Sequence, residues 1–328
     1  MKVEKSLMVD AGDQNCYEYL IDCTVGYGEY KAVQHMDKIC LRSEFLHDVD
    51  CYAAYMTHEL GLKRGDVYTV FMPTTVQSIV SFYALNKIGV IVNFVHPQLP
   101  PEVLKEAIED CNSKGVMILD LLSRSYADVI NESGLPCIVC SSSDYASPVE
   151  ETACKAGEGL LKAIFPKINK RTAYRDAIRK YAPEPGLTGN ADDIAVYLHG
   201  GGTTGKSKTI MLSAYAINSV AFKINDLDVP HEVGRELSLV ALPIFHAFGL
   251  AVAMHFSLCA GYGCITMHEF NARKANEMVR KYPVAFIVGV PNMFKKMHQE
   301  SNFKGPHLRR LRLLFSGGDT VSEGFVEQ

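Results

Sequence analysis

The sequence has no excess of positive charge, no dense set of cysteines and no low-complexity tract. Its 328 residues carry a formal net charge of −4, which offers no general attraction to nucleic acid or to acidic membranes. The ten cysteines are too dispersed for a disulfide scaffold, so we expect a reducing, cytoplasmic setting. These absences argue against a nucleic-acid partner and a small secreted scaffold. They leave a globular protein in which 48% of the residues are apolar.

Membrane segments are not expected either. Charged residues such as Lys2 and Glu4 interrupt the start of the chain, so it does not read as a signal region. The stretch Leu239–Met267 contains no Asp, Glu, Lys or Arg and is long enough to cross a bilayer. However, Pro243 and Gly249 divide it into strand and helix lengths. We therefore predict a buried βαβ segment and no stable membrane insertion.

The pair Cys137 and Cys140 forms a Cys-x-x-Cys spacing that can be interpreted in two ways. The surrounding run is apolar, which favours a short buried strand over a redox-active turn. No second Cys or His pair stands at zinc spacing, so we predict no metal site.

Strand and helix patterns alternate along most of the chain. In the first half the pattern predicts a helix over Ser43–Leu60, a strand over Val67–Met72, a helix over Val76–Lys87 and a strand over Val90–Phe94. Tyr145–Lys180 is mostly helical in composition. The alternation predicts two doubly wound α/β subdomains with parallel-rich sheets. The segment Tyr181–Asn190, rich in Pro and Gly, places the boundary between residues 1–185 and 186–328.

A glycine- and threonine-rich loop that ends in lysines follows the apolar run Ile194–Leu198. Backbone N–H groups, hydroxyls and ammonium groups of this kind suit a polyphosphate. Two registers are open. From Gly200 the spacing fits a Walker A loop with Lys206, whereas from Gly202 the working lysine is Lys208. A Walker A loop leads directly into a helix. Here Thr209–Leu212 has the pattern of a strand, which favours the second register.

In that register, Gly201–Leu212 resembles the signature of the adenylate-forming superfamily, which includes acyl- and aryl-CoA ligases, nonribosomal adenylation domains and luciferases. Further family markers lie both before and after this segment, in the order that the family has. They are Gly61–Asp66, the segment Lys87–Pro97, Leu242–Gly249 (L-P-x-F-H-x-x-G), Val290-Pro291 and Ser316–Asp319. The resemblance covers the chain from about Leu41 to Gln328.

The resemblance implies an enzyme that joins a small carboxylic acid to ATP, with Mg²⁺, and then transfers the acyl group to a thiol such as CoA. The residues implied to bind the ATP phosphates are Gly202, Thr203, Thr204, Gly205 and Lys208. The residues implied to form the acid and adenylate pocket are His246, Gly317, Gly318 and Asp319. No oligomeric state is implied.

The sequence departs from the family pattern in several places. Gly201 replaces a Ser or Thr, Ser207 replaces the loop Pro and Thr209 replaces a Gly, which reduces the expected affinity for phosphate. The family's Y-G-x-T-E segment, ribose-binding Asp and C-terminal catalytic Lys are not found in the sequence. We therefore assign no catalytic residue. We expect a truncated large N-terminal domain, without the family's small C-terminal domain and with little or no turnover.

Two alternatives stay open, a carrier-protein-loading adenylation domain and a non-catalytic nucleotide- or acyl-binding remnant. In the family, an acidic residue in the helix after the His of the second marker accompanies an α-amino group on the substrate. No Asp lies between Phe245 and His268. This favours a simple carboxylic acid over an amino acid.

Overall fold

The computed structural model describes residues 10, 12–35, 38–145, 167–186, 189–200, 208–227 and 229–321. The strands of these ranges, numbered in chain order, are β1 Lys31–His35, β2 Lys38–Leu41, β3 Val67–Phe71, β4 Ile91–Phe94, β5 Ser113–Leu119, β6 Cys137–Cys140, β7 Arg171–Ala173, β8 Ile194–Gly200, β9 Lys208–Ser213, β10 Leu237–Val240, β11 Gly263–Thr266, β12 Val284–Gly289 and β13 Leu313–Ser316.

Helices connect most of these strands. The helices are α1 Cys16–Thr24, α2 Arg42–His58, α3 Val76–Lys87, α4 Pro101–Asp110, α5 Asp120–Ser133, α6 Tyr174–Lys180, α7 Ala214–Asn225, the π-helix α8 Phe248–Phe256 with its α-helical extension Ser257–Cys259, α9 Ala272–Lys281, α10 Pro291–Gln299 and the 3₁₀ helix Pro306–Arg310.

The strands form two sheets, and the central strands of each sheet are parallel. The first sheet has the order β7-β6-β5-β3-β4-β8-β9, and the second has the order β13-β12-β10-β11-β1-β2. Among the described strands, only β9 and β2, each at the edge of its sheet, run antiparallel to their neighbours. The central strands are buried apolar runs, as expected where helices cover both faces of a parallel sheet. The predicted parallel-rich α/β architecture with two sheets is confirmed.

The two sheets share one strand order. β4-β3-β5-β6 in the first sheet corresponds to β11-β10-β12-β13 in the second, and each core continues into a hairpin. The hairpins are exchanged. β8 and β9 follow residue 186 yet join the first sheet, whereas β1 and β2 near the start of the chain join the second. The predicted boundary between residues 185 and 186 therefore does not separate the two sheets.

Helix α3 lies at the centre of the fold and contacts β1 of one sheet as well as β3 and β4 of the other. Thr75 caps its start, because its Oγ1 accepts a hydrogen bond from the Ser78 N–H at 3.2 Å. All of its residues are buried. The Tyr83 hydroxyl lies 2.9 Å from Nδ1 of the fully buried His255 in α8, so a polar contact links α3 to the helix that follows β10.

The observed strands and helices correct some of the sequence predictions and confirm others. The segment Tyr145–Lys180 was expected to be mostly helical, but it contains strand β7. These residues form a strand because they pair with β6. Cys137 and Cys140 are buried within β6, so the interpretation as a redox turn is wrong. Among the described residues, no helix is long and apolar enough to cross a membrane. The stretch Leu239–Met267 is instead divided among β10, α8 and β11.

Candidate active site

The predicted site residues follow the carboxyl ends of strands. His246 comes shortly after β10, Gly317 and Gly318 come directly after β13, and Gly200 ends β8. In parallel α/β sheets, ligands bind outside the carboxyl ends of the strands, where helix N-termini and loops converge. The topology thus places the described part of the predicted site at the expected edges.

The carboxyl edges of the two sheets meet at one point. The Ile244 N–H, after β10, donates to Oγ1 of Thr74, after β3, at 3.1 Å. The ring of His96, which follows β4, lies 4.6 Å from the ring of Phe245 and 6.3 Å from the ring of His246, measured between centroids. His246 is therefore positioned between the two sheets.

The turn that carries His246 is closed by its own backbone. The His246 N–H donates to the Pro243 carbonyl oxygen at 3.2 Å, and the His246 carbonyl accepts from the Leu250 N–H at 2.9 Å. A β-carbon on Gly249 would lie 2.0 Å from the Pro243 carbonyl oxygen, so only glycine fits there. This contact is the physical reason for the final glycine of the L-P-x-F-H-x-x-G pattern.

The electrostatics of the site favour neutral imidazoles. The His246 side chain remains accessible to solvent, but partial desolvation by the surrounding protein lowers its pKa, and the nearby His96 lowers that pKa further. Burial also lowers the pKa of His96. Nδ1 of His96 accepts the Gln98 N–H at 3.1 Å, which suits an unprotonated nitrogen. Both rings can therefore accept as well as donate hydrogen bonds near pH 7.

The glycine pair after β13 lies against helix α8. The Gly317 N–H donates to the Gly289 carbonyl at 3.2 Å, and a β-carbon on Gly317 would lie 3.1 Å from the ring of Phe248. Gly318 has a φ of +79°, which favours glycine. Oδ1 of Asp319 accepts the Thr320 N–H at 2.7 Å, a turn contact. The structure thus connects Gly317 to the His246 segment through Phe248.

The predicted phosphate loop is described only at its ends. Gly202, Thr203, Thr204 and Gly205 lie outside the described residues. Gly200 and Lys208 are Cα partners in the antiparallel pair of β8 and β9. The chain then continues as strand β9, and Oγ of Ser213 accepts the Ala216 N–H at 3.2 Å to cap α7. This connection is a hairpin. The Walker A register with Lys206, which requires a helix directly after the loop, does not fit.

Two residues beside the loop were not predicted. Nε2 of His199 lies 2.6 Å from Oδ1 of Asn93, and the two residues are far apart in sequence. Asn93 is fully buried in β4, whose other residues are apolar. An isolated polar residue within an apolar strand was the signal available in the sequence.

A comparison with known families decides the classification. Residues 29–328 match the sequence profile of the family described as AMP-binding enzyme. The chain belongs to the AMP-binding enzyme family.

Several known proteins and solved structures are similar to the chain over most of its length. The long-chain-fatty-acid–CoA ligase of Escherichia coli O6:H1 is 24% identical over 325 residues, which cover 95% of this chain and 58% of that protein. The ATP-bound MatB structure from Rhodopseudomonas palustris superposes with a TM-score of 0.74 at 21% identity, covering 94% of this chain and 55% of that one. The N-terminal domain of FACL13 from Mycobacterium tuberculosis superposes with a TM-score of 0.75 at 21% identity, covering 96% and 72%.

These comparisons confirm the predicted family and fold. The chain spans somewhat more than half the length of the curated relatives that it matches. The matched Escherichia coli relative is a CoA ligase, and the matched MatB structure is bound to ATP. In the part of the chain that the structure describes, no three His, Cys, Asp or Glu side chains are arranged to hold a metal ion.

Proposed function

We propose that this chain binds ATP, accompanied by Mg²⁺, and a carboxylic acid as the adenylate-forming part of an acid–thiol ligase, with CoA as the acceptor thiol. One observation carries the proposal. The glycine-threonine loop joins the antiparallel strands β8 and β9, so that Lys208 stands directly opposite Gly200 where the loop closes. This geometry supports the adenylate-forming register at the carboxyl edge of a parallel sheet.

The proposed work of the loop is electrostatic. An attack by a carboxylate on the α-phosphorus of ATP requires that the charge of the triphosphate be neutralised and held in place. We assign this to the backbone of Gly202 and Gly205, the hydroxyls of Thr203 and Thr204, and the ammonium group of Lys208. Lys208 is exposed at the end of its strand, which leaves its side chain available to an incoming nucleotide.

The acid is proposed to bind between His246 and the glycine pair. A neutral His246 can orient a carboxylate without forming a fixed ion pair, and Gly317 leaves room for the ring of Phe248. Gly318 would allow the adenylate to approach the end of β13, and Asp319 would contact the nucleotide. Helix α8 contributes an apolar wall, because its members other than His255 are apolar and His255 is engaged with Tyr83.

The substrate class follows from this wall. A free α-amino group would need a carboxylate partner, since an unpaired buried charge is costly. None is available between Phe245 and His268. We therefore propose a simple carboxylic acid with an apolar acyl group. The cysteines are dispersed, and among the described residues nine are not joined in a disulfide, which supports the proposal of a reducing cytoplasmic setting.

Turnover is a separate matter from binding. The sequence contains no Y-G-x-T-E segment, and the whole relatives are considerably longer than the matched part. We propose that the 328-residue chain by itself binds its ligands but forms acyl-CoA slowly or not at all.

The decisive experiment combines two measurements. Isothermal titration with ATP and MgCl₂ measures nucleotide binding, and ATP–pyrophosphate exchange across a panel of aliphatic, aromatic and amino acids measures the first half-reaction. Binding of ATP with acid-dependent exchange supports the proposal, and exchange that is specific for an amino acid would favour a carrier-loading domain. ATP binding without exchange would indicate a non-catalytic remnant. Absence of ATP binding would contradict the proposal.

A further inference from the structure

A row of polar side chains, three of them buried and one half-buried, crosses four neighbouring strands of the first sheet. It runs from His199 on β8 through Asn93 on β4 and Thr69 on β3 to Ser113 on β5. The contacts are 2.6 Å for His199–Asn93, 3.0 Å for Asn93–Thr69 and 2.8 Å for Thr69–Ser113. Asn93 and Thr69 are fully buried. Buried polar groups are costly unless they are paired, and each member of the row is hydrogen-bonded to its neighbour.

The direction of the first hydrogen bond can be determined. Nδ2 of Asn93 lies 3.2 Å from the carbonyl oxygen of Ala107 in α4. A backbone carbonyl can only accept, so this side of the Asn93 amide must be the NH₂ group. Oδ1 of Asn93 therefore faces His199, and Nε2 of His199 must carry a proton and donate it.

The remaining hydrogen bonds run in the same direction. Oγ1 of Thr69 accepts from Asn93 and donates to Oγ of Ser113, and Ser113 in turn donates to the Gly115 carbonyl at 3.0 Å. Every donor points away from His199 into the sheet. Loss of the His199 donor would leave Oδ1 of Asn93 buried without a partner. The desolvation of that oxygen would then no longer be offset by a hydrogen bond.

His199 stands at the base of the proposed phosphate loop. It is the Cα partner of Thr209, and the next pair, Gly200 and Lys208, bounds the loop on both sides. Burial lowers the pKa of His199, while Asp110 at the end of α4 opposes this effect. The ring is therefore a neutral donor of fixed orientation near pH 7.

We propose that His199, held by Asn93, is a positioning residue that fixes the strand ends from which the phosphate loop departs, and thereby the place of Lys208 relative to the ATP phosphates. The statement about ATP rests on the proposed function. The statement about the strand ends does not. The two can be tested separately.

The test uses the full chain and three variants. His199→Phe keeps the ring volume but removes the donor, His199→Gln restores an N–H donor at a similar distance, and Ser113→Ala breaks the far end of the row without touching His199. Hydrogen–deuterium exchange without nucleotide is followed in peptides covering residues 194–213, and MgATP binding is followed by calorimetry. A thermal melt of each variant reports global stability.

We expect His199→Phe to raise exchange in these peptides at least fivefold and to weaken MgATP binding about tenfold, the effect of one lost hydrogen bond that leaves a buried partner. His199→Gln should lie within about twofold of the unmodified chain in both measurements. Ser113→Ala should leave both unchanged even if its melting temperature falls.

Equal exchange in His199→Phe and the unmodified chain would overturn the positioning role. The same conclusion would follow if Ser113→Ala and His199→Phe changed exchange equally, or if His199→Gln failed to rescue it. If the unmodified chain did not bind MgATP, the proposed function would fail, while exchange would still decide whether His199 fixes the strand ends.

Discussion

The α-carbon of Gly249 lies against Pro243 so closely that an added β-carbon would be 2.0 Å from the Pro243 carbonyl oxygen and 3.1 Å from that of Leu242. The turn that presents His246 therefore depends on the absence of a side chain three residues later. Because both obstacles are backbone atoms, rotation of a side chain cannot relieve the contact.

Gly249→Ala should destabilise the protein by about 2 kcal/mol or more, since overpacking against backbone forces a local shift. Chemical denaturation measures the change. Gly26→Ala is the matched control, because nothing lies within 4 Å of a β-carbon built on Gly26. Equal stability of the two variants would contradict the steric explanation.

The register of the phosphate loop predicts unequal roles for two neighbouring lysines. Lys208→Met should weaken MgATP binding at least tenfold, because an ammonium group that pairs with phosphate oxygens is lost. Lys206→Met should have an effect of less than about threefold, because in this register Lys206 is not the lysine that pairs with phosphate. Calorimetric titration of both variants separates the registers, and a larger effect at Lys206 would favour the Walker A interpretation.

The contact between Gly317 and Phe248 predicts that a substitution at Phe248 can restore acid binding that a substitution at Gly317 has weakened. Gly317→Ala would place its β-carbon 3.1 Å from the Phe248 ring and should displace that ring toward the proposed acid pocket. We expect weaker binding of the acid, measured by titration in the presence of ATP. Phe248→Leu in the same chain should restore it, because the smaller side chain makes room. If the double variant binds no better than Gly317→Ala, the pocket is not formed by this contact.

His255 predicts a loss of stability in acid. Burial lowers its pKa to about 3, whereas an unfolded histidine has a pKa near 6.5. Because the unfolded chain binds more protons than the folded one in this window, stability is complete above about pH 6.5 and falls as the pH decreases toward 3. At pH 5 this effect of His255 lowers the free energy of unfolding by about 2 kcal/mol.

Urea unfolding at pH 7.5 and pH 5.0 measures this loss. His255→Gln should be less stable at pH 7.5, because Tyr83 and Asn218 lose their hydrogen-bond partner. It should nevertheless lose about 2 kcal/mol less than the unmodified chain between the two pH values. An identical loss in both proteins would show that other groups dominate the acid response.

The sequence allowed much of the fold to be predicted where the signal was local. α3 was predicted with the bounds that it has, Val76–Lys87, and in the structure Thr75 caps its start. The strand after the proposed phosphate loop was also predicted, and it favoured Lys208 over Lys206 as the phosphate-binding lysine. The exchanged hairpin β1–β2 was missed, because its strands are short and β1 pairs with β11, which lies more than 200 residues away, as for Val33 and Cys264.

The site was predictable only in part, because some of its contacts join residues that are far apart in the sequence. His246, Gly317 and Gly318 were found because each belongs to a recognisable local pattern. Asn93 stands out in the sequence only as a polar residue within an apolar strand, and its contact with His199 exists only when β4 and β8 are side by side. The π-helical geometry of Phe248–Phe256 was likewise unpredictable, because its apolar residues suit an ordinary buried helix.

The exchange of hairpins has a consequence for how the two halves of the chain depend on each other. A cut between residues 185 and 186 would leave each piece holding a pair of strands that completes the other piece's sheet, and lacking the pair that completes its own. Among the described strands, each half then leaves an edge of its own sheet without the strands that pair with it, and the other half supplies them. The hairpin that bears Lys208 therefore connects the two halves of the chain, in addition to its proposed role in binding phosphate.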